Sequence, residues 1–165
     1  MDNMTAKVSC FARAYHHKNN KEHIFDDNMA EKLLGKDYEE IAQNMSEGVS
    51  FFFLDFEGTK EEGLRLIVDK QLSPSVLARS AYCESKLADE KNSGCMQYMI
   101  FASGYDTFSM RNSGESLSIY ELDLPEVISD KMERVEKSMV RSKAIYIPCD
   151  LAGEVWKDKL VESGY

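Results

Sequence analysis

The chain has 165 residues, 43% hydrophobic and 30% charged, enough apolar side chain for one folded core and unlike a disordered polymer. Asp and Glu number 29 against 20 Lys and Arg, a formal charge of −9. With no Lys/Arg block, that balance argues against a nucleic-acid or anionic-membrane partner. No run of about 18 apolar residues offers a transmembrane helix. Met1-Asp2-Asn3-Met4-Thr5 lacks the basic-then-apolar pattern of a secretory leader, so a cytoplasmic protein with reduced thiols is expected.

Residues 1–72 read as a helical cap or lid segment. Val8, Phe11, Ala12 and Tyr15 have helical spacing, which the polar stretch His16–Lys21 is expected to interrupt. Asp26-Asp27 lead into Met29, Ala30, Leu33 and Leu34, a short helix with Gly35 as its C-cap. Ser50–Phe56 is a dense apolar run whose length suits either a strand or a buried helical turn, and whose place is core or the underside of a lid.

Residues 73–165 read as a partial α/β domain. Ser73-Pro74 open a helix, with Ser as N-cap and Pro at N1, whose apolar positions Val76, Leu77, Ala81, Leu87 and Ala88 run to a stop at Asn92-Ser93-Gly94. Met96–Phe101 is a continuous apolar run, expected to be a strand covered on both faces, and it ends in the small-residue turn Ala102–Thr107. A second strand, Leu117–Leu122, precedes Asp123-Leu124-Pro125 and a helix with the stripe Val127, Ile128, Met132, Val135 and Met139. A third strand, Ala144–Cys149, is followed by Asp150-Leu151 and a helix over Gly153–Ser163 with Val155, Trp156, Leu160 and Val161 on one face. Strands alternating with helices predict an α/β fold: the first half of a Rossmann-like doubly wound parallel sheet, about three strands, preceded by the N-terminal helical segment.

Cys10, Cys83, Cys95 and Cys149 form no zinc pattern, and Cys149 reads as a buried strand-end residue rather than a nucleophile. His16, His17 and His23 carry no carboxylate at a spacing that completes a ligand set, so no metal is expected. Ligands of open α/β sheets bind beyond the carboxyl ends of the strands. Three features fall there: the turn around Gly104, the acids Glu121 and Asp123, and Asp150-Leu151. An ionised carboxylate only accepts, which suits ribose hydroxyls or an adenine amino group. The dinucleotide fingerprint GxGxxG is absent, which disfavours a nicotinamide or flavin cofactor.

Ala102-Ser103-Gly104-Tyr105-Asp106-Thr107-Phe108, Glu121-Leu122-Asp123-Leu124-Pro125 and Asp150-Leu151, in that order, resemble the motifs of the leucine carboxyl methyltransferase family. Ala12-Arg13-Ala14-Tyr15-His16 and Ile24-Phe25-Asp26-Asp27 resemble its opening segment. The resemblance implies transfer of a methyl group from S-adenosylmethionine to a carboxylate or hydroxyl oxygen of an acceptor. It also implies that Asp123 holds the ribose, Asp150 and Leu151 the adenine, Ala102 and Gly104 flank the methionine part, and Arg79 pairs with the cofactor carboxylate. Ala102 and Phe108 depart from the family's glycine and arginine at those places. Since the family's enzymes run to roughly twice this length, the chain is expected to be an N-terminal portion, with the acceptor pocket and any general base beyond it, so no catalytic residue is assigned. A non-catalytic fragment completed by a partner chain is the alternative, and an uncovered sheet edge would favour self-association.

Overall fold

The computed structural model describes residues 3–114, 116–153 and 155–165. Met1 and Asp2 of the leader reading, and Glu154 within the last expected helix, lie outside them. Strands β1 (Gln97–Phe101), β2 (Ser118–Asp123) and β3 (Ala144–Pro148) form an all-parallel sheet in the order β1-β2-β3. Gln97 stands opposite Ser118 at one end of the register and Asp123 opposite Pro148 at the other. β2 is the strand covered on both faces, with Ile119, Tyr120, Glu121 and Leu122 all buried. The expectation that Met96–Phe101 is covered on both faces is corrected: Gln97 and Phe101 are exposed and the three residues between are half-buried. β1 pairs only with β2, and among the described residues no strand pairs with its outer edge.

Alternation along β2 sends Ile119 and Glu121 to one face and Tyr120 and Leu122 to the other. Under the first face lie α6 (Ser73–Asn92) and α7 (Phe108–Arg111), where Leu87, Phe108, Leu117 and Ile119 pack with Tyr98 and Ile100. Under the second lies α9 (Trp156–Glu162), whose Leu160 joins Tyr120, Leu122, Ile147 and Cys149. Of the apolar residues expected to line this last helix, Leu160 is buried and Trp156 meets the Phe101 ring edge-on at 5.0 Å, while Val155 and Val161 are exposed.

α8 (Pro125–Ser138) starts on Pro125 and ends at Met139 in the left-handed conformation. Of the expected stripe, Val127 and Ile128 are inside and Val135 is half-buried against the core, but Met132 and Met139 are exposed and Lys131 is fully buried in their stead. The reason is Glu121, itself fully buried on β2, whose carboxylate receives the Lys131 ammonium and turns the helix to bring it there.

The N-terminal segment is α1 (Met4–Asn19), α2 (Ala30–Leu34), α3 (Asp37–Glu47), α4 (Val49–Phe52) and α5 (Lys60–Ile67), joined to α6 by a π-helical turn, Val68–Leu72. α1 continues into the polar stretch expected to interrupt it and ends within it at Asn19, because His16 is buried with its polar atoms satisfied: Nε2 accepts from Ile24 N–H at 3.1 Å and Nδ1 lies 2.7 Å from the Asn20 amide. Cys10, Phe11, Ala14 and Tyr15 of α1 pack on Leu33, Leu34, Tyr38 and Ile41. Ser50–Phe56 is neither strand nor core: α4 is a single helical turn, Phe51 and Leu54 are more than four-fifths exposed, and Val49 alone is buried there, against Gly63. Ser73 is not an N-cap, since α6 continues from the π turn: Ser73 N–H donates to the Val68 carbonyl and its hydroxyl has no hydrogen-bond partner among the described residues. No described helix is long and apolar enough to cross a membrane.

Candidate functional site

β1 delivers its carboxyl end into the turn Ala102–Thr107, beside the end of β2. Ser103 N–H donates to the Leu122 carbonyl at 3.1 Å, and Gly104 N–H donates to Asp123 Oδ2 at 2.7 Å. Asp123 Oδ1 accepts from Leu124 N–H at 2.7 Å, and the Asp123 carbonyl accepts from Cys149 N–H at 2.8 Å. Asp123 therefore splices the turn to β2 and β2 to the end of β3. Each carboxylate oxygen keeps a further lone pair for a ligand.

The turn is left-handed at two residues, Ala102 with φ 50° and Gly104 with φ 47°. An L side chain there costs roughly 1–2 kcal/mol. Ala102→Gly is expected to stabilise the fold by about 0.5–1 kcal/mol, after the added freedom of glycine in the unfolded chain is subtracted. Gly104→Ala is expected to destabilise by about 1–2 kcal/mol, because its Cβ would also stand 3.0 Å from Ala6 Cβ. Chemical denaturation of the two variants measures both signs.

Beneath the turn is a buried ionic clamp. Arg13 Nε donates to Asp27 Oδ2 at 2.8 Å and its Nη2 to the Tyr105 carbonyl at 2.6 Å. Thr107 Oγ1 donates to the same Asp27 oxygen at 2.7 Å. Arg111 stands 3.5 Å from Asp27 and forks onto Glu84 of α6. Burial alone would raise the Asp27 carboxyl, but the two guanidiniums and the hydrogen bonds from Arg13 and Thr107 outweigh it and hold it below the ordinary carboxylate range. On the other side the Tyr105 hydroxyl donates to Asp130, which Arg134 holds at 2.6 Å while reaching Asp37 at 2.8 Å. The turn is thus fixed by α1, α7 and α8 together.

Above it opens a cleft of about 510 Å³, lined by α1, α6, β1, the turn and Asp123. Arg79, Ala102, Gly104 and Asp123, four of the six residues expected at the site, meet in its wall. Arg79 is exposed and, among the described residues, has no hydrogen bond or ion pair. Ser103 and Asn3 also line the cleft, and Ser103 Oγ and Asn3 Nδ2 are buried with no hydrogen-bond partner among the described residues. Asp150 and Leu151 do not line it: Asp150 Oδ1 accepts from Ala152 N–H at 2.9 Å, and Leu151 packs on the Tyr120–Leu160 cluster. Glu121, read beside Asp123 as a ribose acceptor, is buried with Lys131 and Ser109 and does not line the cleft.

Sequence reasoning passed over the clamp of Arg13, Asp27, Thr107 and Arg111, and the orphaned groups Asn3 and Ser103. The signal available was an arginine and an aspartate in a segment otherwise rich in apolar core residues. The fold also brings together His17, His23 and Asp26, with their ligand atoms within 4.8 Å of one another.

The sequence matches the leucine carboxyl methyltransferase family over residues 6–165. It is 32% identical over 171 aligned residues to YktD of Bacillus subtilis (strain 168), named as a candidate S-adenosyl-L-methionine-dependent methyltransferase. The alignment covers 98% of this chain and 56% of YktD, so the chain spans about half the length of the curated relative it matches. The motif turn, the acid at the end of β2 and the match along nearly the whole chain agree, and the chain belongs to the leucine carboxyl methyltransferase family.

Proposed function

We propose that this chain forms the S-adenosylmethionine-holding half of an O-methyltransferase whose acceptor offers a carboxylate or hydroxyl oxygen. The observation that carries the proposal is the unfilled polar set in the cleft wall: Arg79, Ser103 Oγ and Asn3 Nδ2, beside the Asp123 carboxylate. Unpartnered buried polar atoms are rare in folded proteins, and two of them in the wall of one cleft, beside a carboxylate and an arginine unpaired among the described residues, support a polar ligand there. Asp123 accepts the ribose hydroxyls, and the Arg79 fork binds the cofactor's carboxylate. Ala102 and Gly104 present a turn with little side chain, so the methionine part passes close to the backbone. Asp150 and Leu151, one strand further on, take the adenine beyond Asp123. When bound, the cofactor supplies an electrophilic methyl group, and the residues named here contribute its position and the exclusion of water.

Ultraviolet crosslinking with tritium-methyl S-adenosylmethionine tests the assignment. Label is expected on peptides carrying the cleft residues Cys83, Tyr98 or Tyr105, suppressed by excess S-adenosylhomocysteine and reduced at least tenfold by Asp123→Asn. Label elsewhere, or label indifferent to the competitor, would overturn it.

The unpaired β1 edge favours a second reading, in which a partner strand completes the sheet and the chain alone is not catalytic. Met96 and Phe101 are 57% and 44% exposed at that edge. Unpaired parallel edges template association. Sedimentation equilibrium is expected to show a concentration-dependent dimer that Met96→Lys weakens, and a monomer at about 100 μM would contradict this.

A further inference from the structure

We propose that His17, His23 and Asp26 bind a divalent first-row transition metal ion such as Zn²⁺, at the end of α1 and outside the cofactor cleft. His17 lies in the last turn of α1. The loop between α1 and α2 folds back over it and places His23 and Asp26 alongside. The His23 ring is already oriented, since its Nε2 lies 3.1 Å from the His17 carbonyl oxygen and 3.0 Å from that of Asn20. Two carbonyl acceptors fix the proton on Nε2 and leave Nδ1 as a lone-pair donor, the way backbone carbonyls orient metal-ligating imidazoles. That Nδ1 stands 3.3 Å from Asp26 Oδ1, and His17 Nδ1 stands 2.5 Å from the same oxygen.

The three ligand atoms, all within 4.8 Å of one another, can close on a tetrahedral ion with small side-chain rotations. Bonds of about 2.0–2.1 Å hold neighbouring ligand atoms roughly 3.3 Å apart. The His23–Asp26 edge already has that length. The His17–Asp26 contact is a hydrogen bond and opens by roughly 0.8 Å to admit the ion. Side-chain rotation suffices for this, because His17 and Asp26 are 34% and 60% exposed. Two imidazoles and one carboxylate suit Zn²⁺, Co²⁺, Ni²⁺ or Cu²⁺ and not Mg²⁺, and water fills the remaining position. The ion would tie the end of α1 to the loop that carries Asp27, the neighbouring residue and the anion of the clamp beneath the motif turn.

The test is calorimetric titration of the untagged 165-residue chain with Zn²⁺, repeated for His23→Ala and Asp26→Asn, both surface changes whose folding is checked by circular dichroism. One ion per chain is expected at low micromolar Kd, weakened at least tenfold in each variant and not displaced by millimolar Mg²⁺. Zn²⁺ is expected to raise the melting temperature of the parent chain and not of His23→Ala. The Co²⁺ form is expected to show no thiolate charge-transfer absorption, which separates this site from the cysteines. No binding below about 1 mM, affinity unchanged in both variants, or a thiolate band would each overturn the proposal.

Discussion

Lys131→Ala is expected to lower the unfolding free energy by about 3–5 kcal/mol in urea denaturation at neutral pH. Lys131 and Glu121 are both fully buried, between α8 and β2, and their charged ends touch. Ser109 Oγ donates to the other Glu121 oxygen at 2.8 Å, which completes the carboxylate's hydrogen bonds. Burial pushes the Glu121 carboxyl above its ordinary value, and Lys131 and Ser109 pull it back only partly. Removing the ammonium strands a carboxylate in an apolar layer, and a domain of this kind has only about 5–15 kcal/mol to lose. The pair as a whole carries a desolvation cost that its mutual attraction repays only in part. The double change Lys131→Met with Glu121→Leu is therefore expected to regain most of the loss. A double variant as unstable as Lys131→Ala would contradict this reading of the pair.

Asp27→Asn is expected to cost a comparable 3–5 kcal/mol at neutral pH and to loosen the motif turn. The substitution keeps the shape of the side chain but removes the anion shared by Arg13 and Arg111. Those guanidiniums hold the Asp27 carboxyl below its ordinary value in the folded chain. A depressed carboxyl stabilises the fold above its unfolded pKa of about 3.9, and this contribution disappears as pH falls through the lower folded value. The stability difference between parent and variant is therefore expected to be full above about pH 5 and to shrink in stronger acid. Arg13 and Thr107 connect Asp27 to the turn, so hydrogen exchange at 103–107 is expected to quicken in the variant. An unchanged exchange pattern would show that the clamp is not what fixes the turn.

The sheet was legible in the sequence because a parallel strand is a local signal: a short apolar run closed by small or acidic residues. Each of the three runs lies within a residue of its strand. Helix faces were less legible, because burial is decided by partners far along the chain. Lys131 looks like a solvated cation until Glu121 is placed opposite it, and Met132 and Met139 look like core until Lys131 takes that place. His16 broke the expected first helix only in the sequence reading, since the residues that satisfy its ring, Asn20 and Ile24, come from the loop beyond. The Phe51–Phe53 run has no strand to pair with between α3 and α5, and its exposure has no signature in its composition. Of the cleft wall, Gly104 and Asp123 were legible as residues beyond strand ends and Arg79 only through the family resemblance, while Asp150 and Leu151, read by the same strand-end rule, lie outside it. The clamp was not, because Arg13, Asp27 and Thr107 meet across separations of 14 and 80 residues.

Calorimetric titration of the 165-residue chain with S-adenosylhomocysteine tests the central claim most directly, alongside adenosine and methionine as separate ligands. One site of micromolar affinity, about −8 kcal/mol, is expected. Asp123→Asn is expected to weaken binding of S-adenosylhomocysteine and of adenosine about a hundredfold, the loss of charge-assisted hydrogen bonds. Arg79→Ala is expected to weaken S-adenosylhomocysteine about tenfold and leave adenosine unchanged. A folded chain that binds none of the three, or binds them equally well without Asp123, would contradict the assignment of this cleft to the cofactor.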